Sequence, residues 1–293
     1  MLYDLRLVIS YTFARPSGAG RQLFRVLPAS LRGQQQVLSE RLTLTPAPAE
    51  RHDFRDFFDN RVVEVAMPPG LTTLKIEMVA RVNRSAEAEE MDLSPGLDGL
   101  RAELAATRDL GPESPHHCLG PSPRVGPDAA ITAFAQRATA TCRTVRDVVM
   151  TYGRALHDHM TFDARATEVD TPPEVAFALR RGVCQDYAMI MTAGLRSLGV
   201  PSGYVAGFLR TLPPAGKPRL QGADAMHAWA RAWCGIETGW LEYDPTNACL
   251  VGGDHVVVGY GRDYGDVAPV TGRLRLDGGQ SSTHTVDIEA VKP

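Results

Sequence analysis

Gly182-Val183-Cys184-Gln185-Asp186-Tyr187-Ala188 reads as a cysteine opening a helix that runs to about Leu198, where Gly199-Val200-Pro201 stops it. Two strand-like runs follow: Met226-His227-Ala228-Trp229-Ala230, then Gly239-Trp240-Leu241-Glu242-Tyr243-Asp244-Pro245-Thr246. Helices first and an antiparallel sheet afterwards is an α+β arrangement. The order Cys184, His227, Asp244 supplies a thiol nucleophile, its base and a carboxylate to orient the base.

A thiol attacks only as thiolate, and an ordinary cysteine titrates at about 8.5, so a nucleophilic site must favour the anion. The first turn of a helix does so through its unpaired N–H groups and its dipole. Arg180 and Arg181 would add positive potential, and Gly182 would leave room for substrate beside the sulfur. Alternate strand residues share a face, so 227, 229, 231 and 233 lie together, as do 240, 242 and 244. If residues 234–237 form the hairpin loop, 233 pairs with 238 and His227 falls directly opposite Asp244. Opposed Cβ atoms are about 5 Å apart, close enough for a carboxylate to hold one ring nitrogen. The backbone N–H of Cys184 is the first candidate oxyanion donor, and Gln185 is the candidate for the second. Trp229 and Trp240 are candidates for lining a substrate groove, although strand aromatics commonly belong to the core.

Upstream, residues 1–84 read as all-β. Leu5, Leu7 and Ile9 alternate with Arg6, Val8 and Ser10, and runs at 37–45, 61–66 and 71–82 continue the pattern, with Pro68-Pro69-Gly70 as a turn. Short strands between turn signals suggest a sandwich-like module. Residues 85–126, acidic and then rich in Pro, Gly and Ser, read as a solvated linker. Glu87, Glu89, Glu90 and Asp92 lack the ligand spacing and turn glycine of a calcium loop. From 127 to 293 the pattern is helical and then strand-like, with Ile131, Phe134 and Ala135 on one stripe and Val145, Val148, Val149, Tyr152 and Leu156 on another. Thr171-Pro172-Pro173-Glu174 marks a helix start with Thr171 as cap, and Gly182 is the expected reversal at that helix's end. The strands at 273–276 and 284–288 are expected in the sheet of this second domain.

With 293 residues, 44% of them hydrophobic, the chain can bury a core in each of two domains. A net charge of -3 offers no surplus for a polyanion, so a nucleic-acid partner is not expected. Asp4 and Arg6 interrupt what a signal peptide would need as an apolar run, and no stretch is long enough to span a bilayer, so the expected location is cytoplasmic and away from membranes. Five cysteines without CxxC spacing suggest neither a disulfide framework nor zinc. His157-Asp158-His159 and His116-His117-Cys118 do not converge as ligands, so neither a metal nor another cofactor is expected. Arg262, Asp263 and Asp266 read as turn-stabilising groups.

Taken together, residues 182–188, Arg196-Ser197-Leu198-Gly199-Val200-Pro201, His227-Ala228-Trp229-Ala230 and 240–247 resemble the transglutaminase-like superfamily. More narrowly they resemble its bacterial branch described as cysteine proteases, to which 255–272 and the N-terminal β region are also similar. The resemblance implies a papain-like core with Cys184 as nucleophile, His227 as base and Asp244 as orienter. Arg231 and Cys234 depart from the branch, where an acidic residue is common after His-Ala-Trp. The expected partner is a peptide or protein bearing an amide acyl donor. Hydrolysis by a peptidase or amidase is favoured, because only 49 residues follow Asp244 and leave no room for further barrels. Transfer to an amine by a transglutaminase is the alternative, and an inactive peptide-binding module is a third. The oligomeric state is open, a homo-oligomer included.

Overall fold

The structure is a computed structural model that describes residues 1–85, 91–211 and 225–291. The N-terminal part contributes β1 (Leu2–Phe13), β2 (Gly20–Phe24), β3 (Gln35–Thr45), β4 (Glu50–Arg55), β5 (Arg61–Met67) and β6 (Thr73–Arg84). Next come α1 (Leu97–Ala106), a 3-10 turn at Pro115–Cys118, α2 (Ala129–Ala138), α3 (Val145–His159), β7 (Thr161–Phe162), α4 (Pro173–Leu179), β8 (Arg181–Gly182) and α5 (Cys184–Ser197). The chain then forms β9 (Ser202–Leu209), β10 (Ala225–Trp233), β11 (Trp240–Asp244), β12 (Cys249–Leu250) and β13 (His255–Gly261). It closes with α6 (Tyr264–Val267), β14 (Val270–Leu274) and β15 (Gln280–Ala290).

The alternation in β1 buries Leu5, Leu7 and Ile9, which face Val63, Val65 and Met67 across a sandwich. Its two sheets run β15-β1-β6-β3 and β14-β2-β5-β4. Two of those strands come from the far end of the chain. Leu5 pairs with Ile288 and Leu23 with Thr271, so the strands expected in the sheet of the second domain complete the N-terminal sandwich instead. Residues 270–290 thus fall structurally outside the 127–293 core. Alternation specifies which face a strand buries, not which neighbour it chooses.

The helical half packs on a five-stranded antiparallel sheet, β12-β11-β10-β9-β13. Its middle is α5, in which every residue from Asp186 to Leu195 is buried. Gly194 makes this burial feasible, since a Cβ there would lie 2.1 Å from the Tyr152 hydroxyl of α3. Ala228, Ala230, Ala232 and Tyr243 receive the helices on one face. Phe208, Val256 and Val258 project from the same sheet into the core of the sandwich, so the two halves share apolar packing.

The segment expected as a linker is also built in. Leu100, Leu104, Cys118 and Val125 are buried, the first two on α1. Glu87, Glu89 and Glu90 lie outside the described residues. Asp92 accepts hydrogen bonds from Ser94 and from Thr144, the cap of α3. At α4 the cap is Pro172 rather than Thr171, and Arg180, at φ 53°, makes the left-handed turn that was expected of Gly182. Among the described residues no helix is long and apolar enough to cross a membrane.

Candidate active site

Cys184 is the first residue of α5 and is half-buried. The turn before it is fixed by Asp186, whose Oδ2 accepts from the Val183 N–H at 2.8 Å and from the Thr167 hydroxyl at 2.7 Å. Valine at the cap offers no side-chain acceptor, so only this half of a capping box is made. Burial pushes the Asp186 carboxyl upward, against the pull of these two donors. Gly182 serves the same carboxylate, because a Cβ there would stand 2.5 Å from Asp186 Oδ2. The space beside the thiol that was expected for substrate is therefore filled by Asp186.

The Asp186 and Tyr187 N–H groups turn back to the Val183 carbonyl. That leaves the N–H groups of Cys184 and Gln185 outside the helix's own ladder, in the position that suits an oxyanion. The Gln185 side chain is otherwise engaged, donating Nε2 to the Val169 carbonyl at 2.9 Å. As a side-chain oxyanion donor it is thus tied to the neighbouring loop.

His227 lies near the start of β10, buried, with Nε2 2.7 Å from Asp244 Oδ2 at the end of β11. With Nε2 taken by Asp244, Nδ1 is the ring nitrogen left to serve the Cys184 sulfur, whose charge helps to raise the ring. The hairpin differs from expectation in register. Trp233 pairs with Trp240 and Ala230 with Tyr243, so the connection is two residues longer and Asp244 stands diagonal to His227. A diagonal carboxylate still reaches an imidazole, which is longer than the side chains that need direct opposition.

Asp244 is fully buried and densely donated to. Oδ2 accepts from His227 Nε2, from His255 Nε2 at 3.1 Å and from Asn247 Nδ2 at 2.7 Å. Oδ1 accepts the N–H groups of Thr246 and Asn247. Burial alone would raise this carboxyl, yet the histidine and amide donors hold it well below the usual carboxylate range. For His227, burial alone would lower the ring, but the Asp244 hydrogen bond and the charge of the Cys184 sulfur override it and raise the ring well above an ordinary histidine. An imidazolium against the Asp244 carboxylate is the state this hydrogen bond favours.

His255 was not singled out by its sequence position. A lone histidine at the start of Val256-Val257-Val258 gives no spacing signal, and only its polar ring ahead of a fully apolar strand hints at a buried partner. His227, Asp244 and His255 hold three ligand-type atoms within 4.8 Å of one another, the spacing a cation would need. His255 Nδ1 accepts the Gly252 N–H at 3.3 Å, so Nε2 carries the hydrogen and donates to Asp244. A nitrogen in that role is not a metal ligand, and the cluster fits a proton array instead.

The two tryptophans proposed for a groove do other work. Trp229 is fully buried and donates Nε1 to Glu242 at 2.6 Å. Trp240 sits at the far end of β11, donates to the Glu113 carbonyl and stacks under Arg231. Arg231 is buried between Trp240 and Tyr260 and pairs with Glu113 at 3.0 Å, which gives that departure from the family pattern a structural role. The histidines of the two clusters noted above are bound to carbonyls or stacked: His116 to Thr107, His117 to Leu110, His157 to Thr246, His159 against Phe177. Arg262 pairs with Asp266, and Asp263 caps α6. A depression of about 340 Å³ lined by Ser30, Gln35 and Asn83 belongs to the N-terminal module, away from Cys184.

Residues 132–245 match the family described as the transglutaminase-like superfamily, and residues 3–83 match the bacterial transglutaminase-like N-terminal region. Uncharacterized proteins of Mycobacterium bovis and Mycobacterium tuberculosis are each 32% identical over 272 residues, spanning 88% of this chain and 82% of theirs. One from Mycobacterium leprae is 29% identical over 276 residues, spanning 92% of this chain and 93% of its own. A solved structure of a "putative cysteine protease" from Cytophaga hutchinsonii superposes with a TM-score of 0.78 at 21% identity, covering 100% of this chain and 91% of that one. At that identity the likeness is one of fold.

Proposed function

The chain belongs to the transglutaminase-like superfamily, and from that premise we propose that it is a thiol-dependent acyl-transfer enzyme acting on peptide or amide bonds. The observation that carries this is the array at one end of the sheet: a half-exposed thiol at a helix N-terminus, an imidazole whose ring that thiol helps to raise, and a buried carboxylate on the imidazole's Nε2.

In the proposed cycle His227 takes the Cys184 proton on Nδ1 while Asp244 holds Nε2. The sulfur bonds to the amide carbon, and the resulting oxyanion faces the N–H groups of the first turn of α5. The C–N bond breaks as His227 returns the proton to the leaving amine. Water then adds to the thioester, gives a proton to His227, and the acid departs as the thiol is restored. An amine can replace water in that last stage, which would be transamidation. Unpaired thiols at all five cysteines suit the reducing cytoplasm as the place of action.

Incubation with a glutaminyl peptide, with and without a primary amine, tests the proposal. Ammonia release that needs no amine marks hydrolysis, and incorporation of the amine marks transfer. Product formed equally by Cys184→Ala would overturn the covalent route, and no product with any amide donor would favour an inactive binding module.

A further inference from the structure

We propose that His255 is a positioning residue for the Cys184–His227–Asp244 array, set in place by the N-terminal module through the edge strand β13. The inference rests on the acyl-transfer function above and adds a fourth group to it.

Asp244 Oδ2 is shared: His227 approaches from β10 and His255 from β13, their ring centres 6.2 Å apart. Because the Gly252 N–H occupies His255 Nδ1, the ring donates to Asp244 without needing a second proton. The carboxylate is thereby restrained from a second side, which narrows the directions in which it can hold His227. Trp229 lies edge-on against His255 at 5.2 Å and is itself tied to Glu242, which also accepts from the Tyr260 hydroxyl. The charged groups around the ring are Asp244 on β11, His227 on β10 and, through the main chain, Arg84 of β6. Asp254, next in sequence, is turned away to Tyr3 and Arg210.

β13 is the edge of its sheet, so among the described residues one side of its backbone has no strand neighbour. Side chains of the N-terminal module fill that side. Arg84 donates Nε to the His255 carbonyl at 3.0 Å, Gln35 brackets Val257 by accepting its N–H and donating to its carbonyl, and Asn60 does the same for Tyr260. Three polar side chains of one module thus replace a strand, and the first of them grips the residue that touches Asp244.

The test is the rate of Cys184 alkylation by iodoacetamide as a function of pH, read by peptide mass spectrometry and so independent of any substrate. His255→Leu should move the acid limb of the profile up by about one pH unit, equivalent to roughly tenfold less reactive thiolate at pH 6. His255→Gln, which keeps a donor for Asp244, should restore most of it. Circular dichroism verifies that both variants fold, and His255→Phe, which also lacks a donor for Asp244, takes the place of Leu if Leu does not. A Leu profile that overlays the wild type, or a Gln profile as displaced as that of Leu, overturns the role of His255. His227→Ala separates the two claims. If its profile also overlays the wild type, the acyl-transfer proposal fails as well; if it shifts while His255→Leu does not, only this inference falls.

Discussion

Asp244 holds the site together at the scale of single residues. It accepts five hydrogen bonds, three of them on the oxygen that faces His227. Asp244→Asn would present an amide to a ring that needs an acceptor, so turnover should fall by about 10³–10⁴-fold with substrate binding little changed. The two shifts also set a pH dependence of stability. The Asp244 carboxyl is depressed on folding, so its contribution is present above about pH 4 and lost as pH falls further. The His227 ring is raised on folding, so its contribution is full below about pH 6.5 and declines as pH rises toward the folded value. The pair should therefore stabilise most between those limits. Urea unfolding at pH 5.5 and pH 9 should show a larger loss for the wild type than for His227→Gln, and equal losses would contradict the ion pair.

At the scale of elements, the helix that carries the thiol is set by a glycine and a buried acid. Gly182→Ala pushes on Asp186, which must release Val183, and should cost about 1–3 kcal/mol in urea unfolding while slowing Cys184 alkylation. Gly182→Ala at wild-type stability would show that the carboxylate has room to move. The helix itself was legible from Cys184 to about Leu198, because a thiol at its start and a Gly-Val-Pro stop bracket it. The strands of His227 and Asp244 were legible for the same kind of reason, through alternation. Their register was not, because loop length decides it and Cys234-Gly235-Ile236-Glu237-Thr238-Gly239 offers more than one turn. Arg180 in the left-handed region was hidden by the glycine two residues later, the more usual host for that conformation. Trp229 and Trp240 show the limit of residue type as a guide, since a ring that could touch substrate is equally suited to burial against Glu242 or Arg231.

On the scale of the whole molecule, composition revealed two regions but not how they interlock. The sandwich needs β14 and β15, whose partners lie more than two hundred residues earlier, and no local pattern announces a pairing at that distance. The five-stranded sheet in turn buries Phe208, Val256 and Val258 in the sandwich. Residues 127–293 expressed alone should therefore expose those side chains and aggregate or bind a hydrophobic dye, and a soluble, cooperatively unfolding fragment would contradict the shared core. Arg84→Met, which leaves the His255 carbonyl without its donor, should destabilise the protein by about 1–3 kcal/mol in urea unfolding.

The proposed cycle passes through a covalent acyl group on one sulfur, that of Cys184. Acid-quenched turnover with an activated acyl ester, followed by peptide mass spectrometry, should find the acyl mass on the peptide containing Cys184, labile to neutral hydroxylamine and missing in Cys184→Ala. An adduct spread over the other four cysteines, or turnover with no adduct and undiminished in Cys184→Ala, would contradict it.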